Sequence, residues 1–152
     1  MKQDILFKNV VNMFYHRGII KEEDIESVFN TIIGNFDESS LETSCEYFSF
    51  KIVRKKVIIT CFDTRNEECF HINEIILNPY SHKYSPRRIR ILDESDKIKF
   101  LNEMDISFKS LPQMKITDPI ARYLNLKLDM IIEIERNSKA TITSLYYRRI
   151  IK

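Results

Sequence analysis

Apolar residues recur at helical spacing over the first 34 residues of the chain. The first stripe consists of Leu6, Val10, Met13 and Phe14, and the second of Ile25, Val28, Phe29 and Ile32. The first stripe predicts a helix over residues 3–16 with a stop at Gly18, and the second predicts a helix over about 22–33 that ends at Gly34. The acidic residues Glu22, Glu23 and Asp24 suit the positive end of the second helix dipole.

Strand-like runs replace the helical spacing after residue 46. YFSFKIV and VIITCF predict two strands in a hairpin around Arg54, Lys55 and Lys56. The polar segments NFDESSLETS and DTRNEE predict a loop and a turn, and INEIILN predicts a further strand at Ile75–Leu77. Two helices followed by a small sheet give an α+β module over residues 1–80.

A second series of elements begins near Ser81. RRIRIL alternates charged and apolar residues, as a half-buried strand does, and MIIEIER and SLYYRRII predict two more strands. The inward positions of these last two strands are expected at Ile132/Ile134 and at Leu145/Tyr147. DESDKIKFLNEM predicts a helix, with Asp93 or Ser95 as N-cap and with Ile98, Leu101 and Met104 facing inward.

The segment LPQMKITDPIARYLNLK, residues 111–127, predicts a short helix with well-defined ends. Asp118 suits the N-cap, and Pro119 suits the first helical position, where a missing N–H costs nothing. The helix itself consists of Ile120, Ala121, Tyr123 and Leu124, and Asn125 can close it in the left-handed conformation. The segment contains no nucleophile, metal cage or phosphate loop, so its function must depend on its shape.

Composition and charge divide the chain into two parts. With 43% hydrophobic and 30% charged residues the chain has the composition of a folded protein. Residues 1–80 hold 9 Lys and Arg against 13 Asp and Glu, a net charge of −4, and residues 81–152 hold 15 against 9, a net of +6. This difference favours an anionic neighbour for the second part. Because the chain has two glycines, turns that need a positive φ are expected to use Asn and Asp.

The cysteines and the N-terminus indicate a reducing compartment. Cys45, Cys61 and Cys69 are odd in number, and Lys2 and Asp4 interrupt the N-terminus too early for a signal peptide. The cytosol or the nucleus is therefore expected. No run approaches the 18 apolar residues that a membrane span would need.

Residues that could carry chemistry are few. Cys61, Cys69 and His71 form the only near-cluster of metal-ligand types, but their spacing matches no usual zinc pattern, and buried thiols in strands are the favoured interpretation. Glu133 and Glu135 point to one face of a strand and could hold a divalent ion, although a solvated strand face explains them equally simply. No glycine-rich phosphate loop or nucleophile elbow is present. Catalysis is poorly supported, and no metal or cofactor is expected.

The basic clusters admit two interpretations. Arg54, Lys55 and Lys56 could touch nucleic-acid phosphates without reading bases. Arg87, Arg88 and Arg90, with Arg148 and Arg149, could pair with an acidic protein surface; for both clusters, simple solvation is the alternative. Without aromatic residues interleaved among the basic ones, sequence-specific reading of RNA or DNA is not expected.

The second half resembles the fifth subunit shared by the eukaryotic nuclear RNA polymerases I, II and III, whose C-terminal domain is equivalent to a small subunit of the archaeal RNA polymerase. The matching residues run from HKYSP (His82 to Pro86) through Leu111-Pro112, Asp118-Pro119, Ala121, Tyr123-Leu124 and Leu126-Lys127 to IIEIERNS and YYRRI, which carry Arg136, Ser138, Tyr147 and Arg148. In the first half FYHRGIIKEEDI and IILNPYSH are similar to shorter family segments. Two family glycines are replaced here by Asn125 and Asp129, and the glycine of the last hairpin loop is missing from KATITS.

This resemblance implies an α+β fold in two modules. Residues 1–80 would be a reduced jaw with a nuclease-like fold, and residues 81–152 a two-layer α/β assembly module with a mixed sheet and two short helices. The implied function is that of a non-catalytic polymerase subunit of the nucleus, or of the cytoplasm if the protein is viral. The alternatives are a vestigial or active metal-dependent nuclease using Glu133 and Glu135, and a free-standing DNA-binding regulatory protein.

The resemblance also implies partners. The largest polymerase subunit and neighbouring small subunits would bind the assembly module. Arg54, Lys55 and Lys56 would at most contact the phosphate backbone of downstream DNA. The expected contacts with the largest subunit are Leu111, Pro112, Asp118, Pro119, Arg122, Tyr123, Arg136, Tyr147 and Arg148. No small-molecule ligand and no membrane contact are expected.

Overall fold

The computed structural model describes residues 2–81, 85–137 and 142–152, and its contacts divide the chain into two compact units after Asn78. In unit 1 the elements are α1 (Lys2–His16), a 3₁₀ turn (Glu22–Asp24), α2 (Ile25–Gly34), β1 (Glu42–Ser44), β2 (Phe48–Val53), β3 (Lys56–Cys61), β4 (Glu67–His71) and α3 (Ile72–Ile76). The four strands form an antiparallel sheet in sequence order.

The core of unit 1 lies between its helices and the inner face of this sheet. Phe14 of α1 stacks on Phe48 of β2 with 4.1 Å between ring centroids, and Phe7 lies 5.5 Å from Phe50. Both predicted helices are confirmed, and every residue of their two apolar stripes is buried or partly buried. Gly18 has a φ of 73°, as a stop after α1 requires.

Three predictions for unit 1 are wrong in whole or in part. The segment at Ile75–Leu77 is not a strand, because Ile72–Ile76 forms α3. His71 caps this helix: its Nδ1 accepts from the Asn73 N–H at 3.2 Å, and its own N–H donates to Glu74 at 3.0 Å. In DTRNEE the residues after Asn66 are not a turn but the start of β4, and the segment NFDESSLETS, predicted as a loop, contains β1. The hydrophobic pattern did not indicate these two strands, because both lie at the edges of the sheet and are largely polar.

Unit 2 contains β5 (Arg88–Ile91), α4 (Glu94–Glu103), a 3₁₀ turn (Phe108–Ser110), β6 (Gln113–Lys115), α5 (Pro119–Tyr123), β7 (Ile131–Asn137) and β8 (Thr143–Ile151). The sheet order is β5-β7-β8-β6, and the sheet is mixed because only β6 runs parallel to its neighbour. Residues on both of its faces are buried, Ile131 on one and Ile132, Ile134 and Ile150 on the other. The α+β class is therefore confirmed for the described residues.

The inward face of α4 differs from the predicted one. Asp93 is the N-cap, accepting from the Asp96 N–H at 2.7 Å, but Ile98 and Met104 are 59% and 56% exposed. Leu101 packs against a cluster of Leu92, Leu111 and Ile131, as predicted, and Phe100, which was not predicted to face inward, packs there as well. In β8, Leu145 is 53% exposed and not inward. The hydrophobic periods identified the helix and the strand correctly. Which of their side chains are buried depends also on which part of the sheet is covered by other elements.

Candidate functional site

The segment at residues 111–127 folds as its sequence predicts. Asp118 Oδ1 accepts from the Ile120 N–H at 2.9 Å, and Pro119 is the first residue of α5. Asn125 ends the helix with a φ of 52°, and Asp129 has a φ of 64°. Both residues that replace family glycines therefore hold the left-handed conformation, which Asn and Asp tolerate better than most side chains.

Only part of this segment is exposed. Leu111 and Tyr123 are each 4% exposed; Leu111 belongs to the core cluster with Ile131, and the Tyr123 ring lies 5.6 Å from that of Tyr80. Their side chains therefore contribute to the packing of the unit, and a direct contact of these two residues with a partner stays a prediction. Pro112 and Pro119 are exposed, and Asp118 and Arg122 are partly exposed.

The strand pair does not bring Arg136, Tyr147 and Arg148 together. Arg148 is paired with Ile132 and Tyr147 with Glu133, and neighbouring residues of a strand point to opposite faces. Tyr147 stacks on Phe100 with 4.0 Å between centroids, under α4, and donates to Glu133 Oε2 at 2.7 Å. Burial and then this hydrogen bond raise the pKa of Tyr147 to about 12. Tyr147 therefore holds α4 on the sheet.

Arg136 and Arg148 lie on the other face, with Tyr146. The guanidinium of Arg136 is 5.6 Å from the centre of the Tyr146 ring, which is 49% exposed. Arg148 follows Tyr146 by two residues on the same strand and donates to the Gln113 carbonyl at 3.3 Å. We call Arg136, Tyr146 and Arg148 the basic aromatic patch. Sequence reasoning missed Tyr146, although its period-two spacing from Arg148 was a usable signal.

The basic turn Arg54–Lys56 lies at the β2–β3 connection of unit 1. Val53 pairs with Lys56, so Arg54 and Lys55 form a two-residue turn, and all three cations are exposed. Arg54 has a φ of 58°, which is unfavourable for a residue with a Cβ atom. No carboxylate among the described residues forms an ion pair with these three cations.

The carboxylates and thiols considered for chemistry are used elsewhere. Glu133 accepts from Tyr147, and Glu135 lies 3.8 Å from Arg87. Cys61 is buried on the inner face of the sheet of unit 1, but Cys69 is exposed on the other face, so the expectation that all the thiols are buried is wrong for Cys69. Burial raises the pKa of the Cys45 thiol, which disfavours the reactive thiolate.

Two further features are absent from the described part of the chain. No group of three His, Cys, Asp or Glu within the described ranges could hold a metal ion, and no described helix is long and apolar enough to cross a membrane. His82 and Ser138, two of the residues on which the resemblance was based, lie outside the described residues.

Comparison with known proteins gives a match concentrated on unit 2. The family model for the RNA polymerase Rpb5 C-terminal domain matches residues 77–150. The archaeal DNA-directed RNA polymerase subunit Rpo5 of Pyrococcus abyssi is 36% identical over 75 residues, 49% of this chain and 90% of the archaeal one. The DNA-directed RNA polymerase subunit 5-like protein 1 of Arabidopsis thaliana is 32% identical over 81 residues, 53% of this chain and 38% of the plant protein.

A further relative aligns with both units. The subunit 5B of DNA-directed RNA polymerases IV and V of Arabidopsis thaliana is 22% identical over 130 residues, 86% of this chain and 52% of that protein. The chain thus spans about half or less of the length of the two plant relatives. Because the family model matches residues 77–150 and the alignment with the archaeal protein covers 90% of that protein at 36% identity, the chain belongs to the family of RNA polymerase subunits that share the Rpb5 C-terminal domain.

Proposed function

We propose that this chain is a non-catalytic subunit of a DNA-directed RNA polymerase in the nucleus, and that unit 2 docks on the largest subunit. The observation that carries the proposal is the extent of the similarity. Residues 77–150 match the family model and coincide with unit 2, which begins at Pro79. Because relatives named as polymerase subunits share this unit, it is the unit that would attach the chain to the polymerase.

The docking surface would combine the basic aromatic patch with the exposed or partly exposed residues Pro112, Asp118, Pro119 and Arg122, which lie outside the β6 strand. Arg and Tyr are the residue types that carry most binding energy in protein interfaces, because they bury a large flat surface and still form hydrogen bonds. The net charge of +6 over residues 81–152 favours an acidic surface on the partner. Pro112, Pro119 and Arg122 would complete the contact beside this patch.

Unit 1 would form part of the lower jaw near downstream DNA, with neighbouring small subunits around it. The three cations of the basic turn can approach phosphates, and phosphate contacts are independent of base sequence. The net charge of −4 over residues 1–80 repels DNA elsewhere, which restricts the contact to this turn.

Co-purification of the tagged full chain with the two largest polymerase subunits tests the docking. We expect both large subunits in the wild-type complex, and a loss of at least tenfold in recovery for the double variant Arg136→Ala/Tyr146→Ala, on the order of 2 kcal/mol as expected for interface anchors. Lys99→Ala, at an exposed position of α4, is the control and should assemble normally. Absence of the large subunits from the wild-type complex contradicts the proposal.

Salt-dependent DNA binding of the assembled polymerase tests the basic turn. Replacing Arg54, Lys55 and Lys56 by Gln should weaken binding equally for all downstream sequences. The plot of log affinity against log salt should become less steep by up to about 3, one for each lost phosphate contact. Lys21→Gln is the control for an exposed cation of unit 1 outside this turn. An unchanged salt slope in the triple variant would remove DNA contact from the proposal.

A further inference from the structure

Two cations lie against the same aromatic ring on the α4 side of unit 2. Lys97 Nζ is 4.8 Å from the centre of the Phe108 ring, and the guanidinium carbon of Arg149 is 5.3 Å from it. Phe108 packs against the core cluster of Leu92, Leu111 and Ile131, so the ring is held in place. The ring attracts both cations but neutralises neither, because a cation–π contact is worth less than an ion pair with a carboxylate in the same position.

Within the described part of unit 2, Arg149 has no carboxylate partner. No carboxylate of the described residues lies within 4.0 Å of its guanidinium, and its Nε is buried without a hydrogen-bond acceptor. Lys97 is 3.4 Å from Glu94, a side chain that is itself 84% exposed. The half-buried Arg149 therefore carries a charge that no described carboxylate offsets, so an anion supplied by another molecule would stabilise this arrangement.

The sheet edge beside Arg149 also presents donors. The β6 strand is an edge strand and is parallel to β8, with Gln113 opposite Arg149. The Arg149 N–H donates to the Pro112 carbonyl and the Ile116 N–H to the Ile151 carbonyl, so by the alternation of a parallel pair the backbone groups of Gln113 and Lys115 point away from the sheet.

Their two carbonyls are already occupied. The Gln113 carbonyl accepts from Arg148 and the Lys115 carbonyl from the Asp118 N–H. What remains at the edge is the N–H groups of Gln113 and Lys115, two residues apart, with the Lys115 side chain on the Arg149 face of the sheet. The backbone of the β6 edge thus presents two donors, and Lys115 adds a cation beside them.

We propose that the β6 edge together with the Lys97–Phe108–Arg149 cluster is a docking surface for an extended acidic polypeptide segment of a partner protein. Carbonyls two residues apart on an extended chain are roughly 6.5 Å apart, which matches the spacing of the two N–H groups. Carboxylates on alternate residues would face Arg149 and Lys115. Nucleic acid fits less well, because its phosphates cannot reproduce the pairing of a strand edge with backbone carbonyls.

This inference rests on the proposed function only for the identity of the partner, which would be a polymerase subunit. It concerns a surface across the sheet from the basic aromatic patch, since Arg149 and Arg148 point to opposite faces. The two surfaces can therefore be tested separately.

An NMR titration of the full chain with a nine-residue peptide of alternating Glu and Thr tests the surface. We expect the amide shifts of Gln113 and Lys115 to change most, and the affinity to fall about tenfold or more when Gln replaces every Glu of the peptide. Lys115→Gln, which alters an exposed side chain, and Arg149→Met, which keeps the packing on Phe108, should each weaken binding of the acidic peptide severalfold. Lys99→Gln, which changes an exposed lysine of α4 outside the cluster, should leave it unchanged.

Three results would overturn the inference: equal binding of the acidic and uncharged peptides, shift changes that avoid β6, or the same shift changes produced at lower concentration by a short DNA duplex. Co-purification separates this inference from the proposed function. If the wild-type chain recovers the two large subunits and the double variant Lys115→Gln/Arg149→Met recovers them equally, the β6 surface is wrong and the subunit role stands. If the wild-type chain recovers neither while the peptide still binds β6, the subunit role is wrong and the surface stands.

Discussion

Gly18 and Gly34 occupy opposite kinds of backbone position, and one substitution should therefore have opposite effects at the two sites. Gly34 is the last residue of α2 and has helical dihedral angles, and a Cβ added there meets no atom within 4 Å. We expect Gly34→Ala to stabilise unit 1 by about 0.5–1 kcal/mol, because alanine loses less backbone freedom on folding. Gly18, with a φ of 73°, should lose about 1–2 kcal/mol on the same change.

Urea unfolding of both glycine variants, followed by circular dichroism, measures these differences. The two variants control each other, since each removes one glycine and adds one methyl group. Destabilisation by Gly34→Ala would mean that the end of α2 needs a flexibility that its dihedral angles do not indicate.

Asp37 makes the stability of unit 1 depend on pH. Its carboxylate accepts from the Ser39 N–H at 2.9 Å and from the hydroxyls of Ser39 and Ser40 at 2.7 and 2.8 Å, and these bonds lower its pKa to about 2. Because the folded pKa lies below the unfolded value, this contribution is complete above about pH 4 and is lost as the pH falls towards 2. Asp37→Asn should flatten the acid limb of a plot of unfolding free energy against pH. An acid limb as steep as that of the wild type would show that the carboxylate is not so bound.

Positive φ angles show how far residue types alone predict backbone geometry. Among the described residues, Asn78, Asp105, Asn125 and Asp129 have positive φ, as the shortage of glycine led us to expect. Leu41, Arg54, Arg65 and Ile142 also have positive φ, and their residue types give no sign of it. At Arg54 the pairing of Val53 with Lys56 imposes a two-residue turn, so the register of the hairpin determines the angle.

At the scale of a single element, α5 depends on one side chain. The helix has five residues, too few for intrinsic stability in water, and Asp118 satisfies one of its free N–H groups. Asp118→Ala should cost about 1 kcal/mol in unfolding free energy, and Asp118→Asn much less, because asparagine is an equally good cap. Urea unfolding of both variants measures this difference. Equal losses would mean that the charge of Asp118 matters and its capping bond does not.

The end of α1 is tied to β4 by a buried ion pair. Arg17 donates from both terminal nitrogens to the two carboxylate oxygens of Glu68 at 2.8 Å, and the Arg17 side chain is 4% exposed. Arg17→Met or Glu68→Leu alone should cost about 3–5 kcal/mol, because each leaves a charge in a poorly hydrated site. The double variant should cost less than the sum of the two. A double-mutant cycle in urea tests this, and strict additivity would contradict a direct coupling.

Element type was easier to predict from the sequence than element orientation. The helical stripes of α1 and α2 and the cap of α5 were confirmed because they depend on residues near one another in the chain. In α4, Ile98 was expected to face the core, but Phe100 does so. The helix packs on a sheet in which β6 lies beside β8, although the two strands are far apart in the chain, so the face that the helix turns inward depends on distant residues. The segment at Ile72–Ile76 was misassigned because a five-residue apolar run fits either period.

At the scale of the whole molecule, the sequence predicted the family but not the surface. The Leu-Pro and Asp-Pro motifs identified unit 2, yet two of the residues expected to contact a partner, Leu111 and Tyr123, are core residues. A motif of this kind preserves a shape, so many of its members stabilise the fold rather than bind. Tyr146 and Tyr147 are neighbours in the chain, and only the strand register shows that Tyr147 lies beneath α4 while Tyr146 is exposed on the other face.

Unit 2 has the features of an independently folding domain. It has its own sheet and core cluster, and the alignment with the Pyrococcus abyssi subunit covers 49% of this chain but 90% of that protein. A fragment of residues 79–152 should therefore unfold cooperatively in urea, with a free energy of about 3–5 kcal/mol, typical of one core of this size. Ile132→Ala, at a fully buried position, should remove about 2–5 kcal/mol and abolish the transition, whereas Arg136→Ala at an exposed position should leave it within about 0.5 kcal/mol. A fragment that gives no cooperative transition would mean that unit 2 depends on unit 1 for its stability, and the boundary after Asn78 would then separate two clusters of contacts but not two domains.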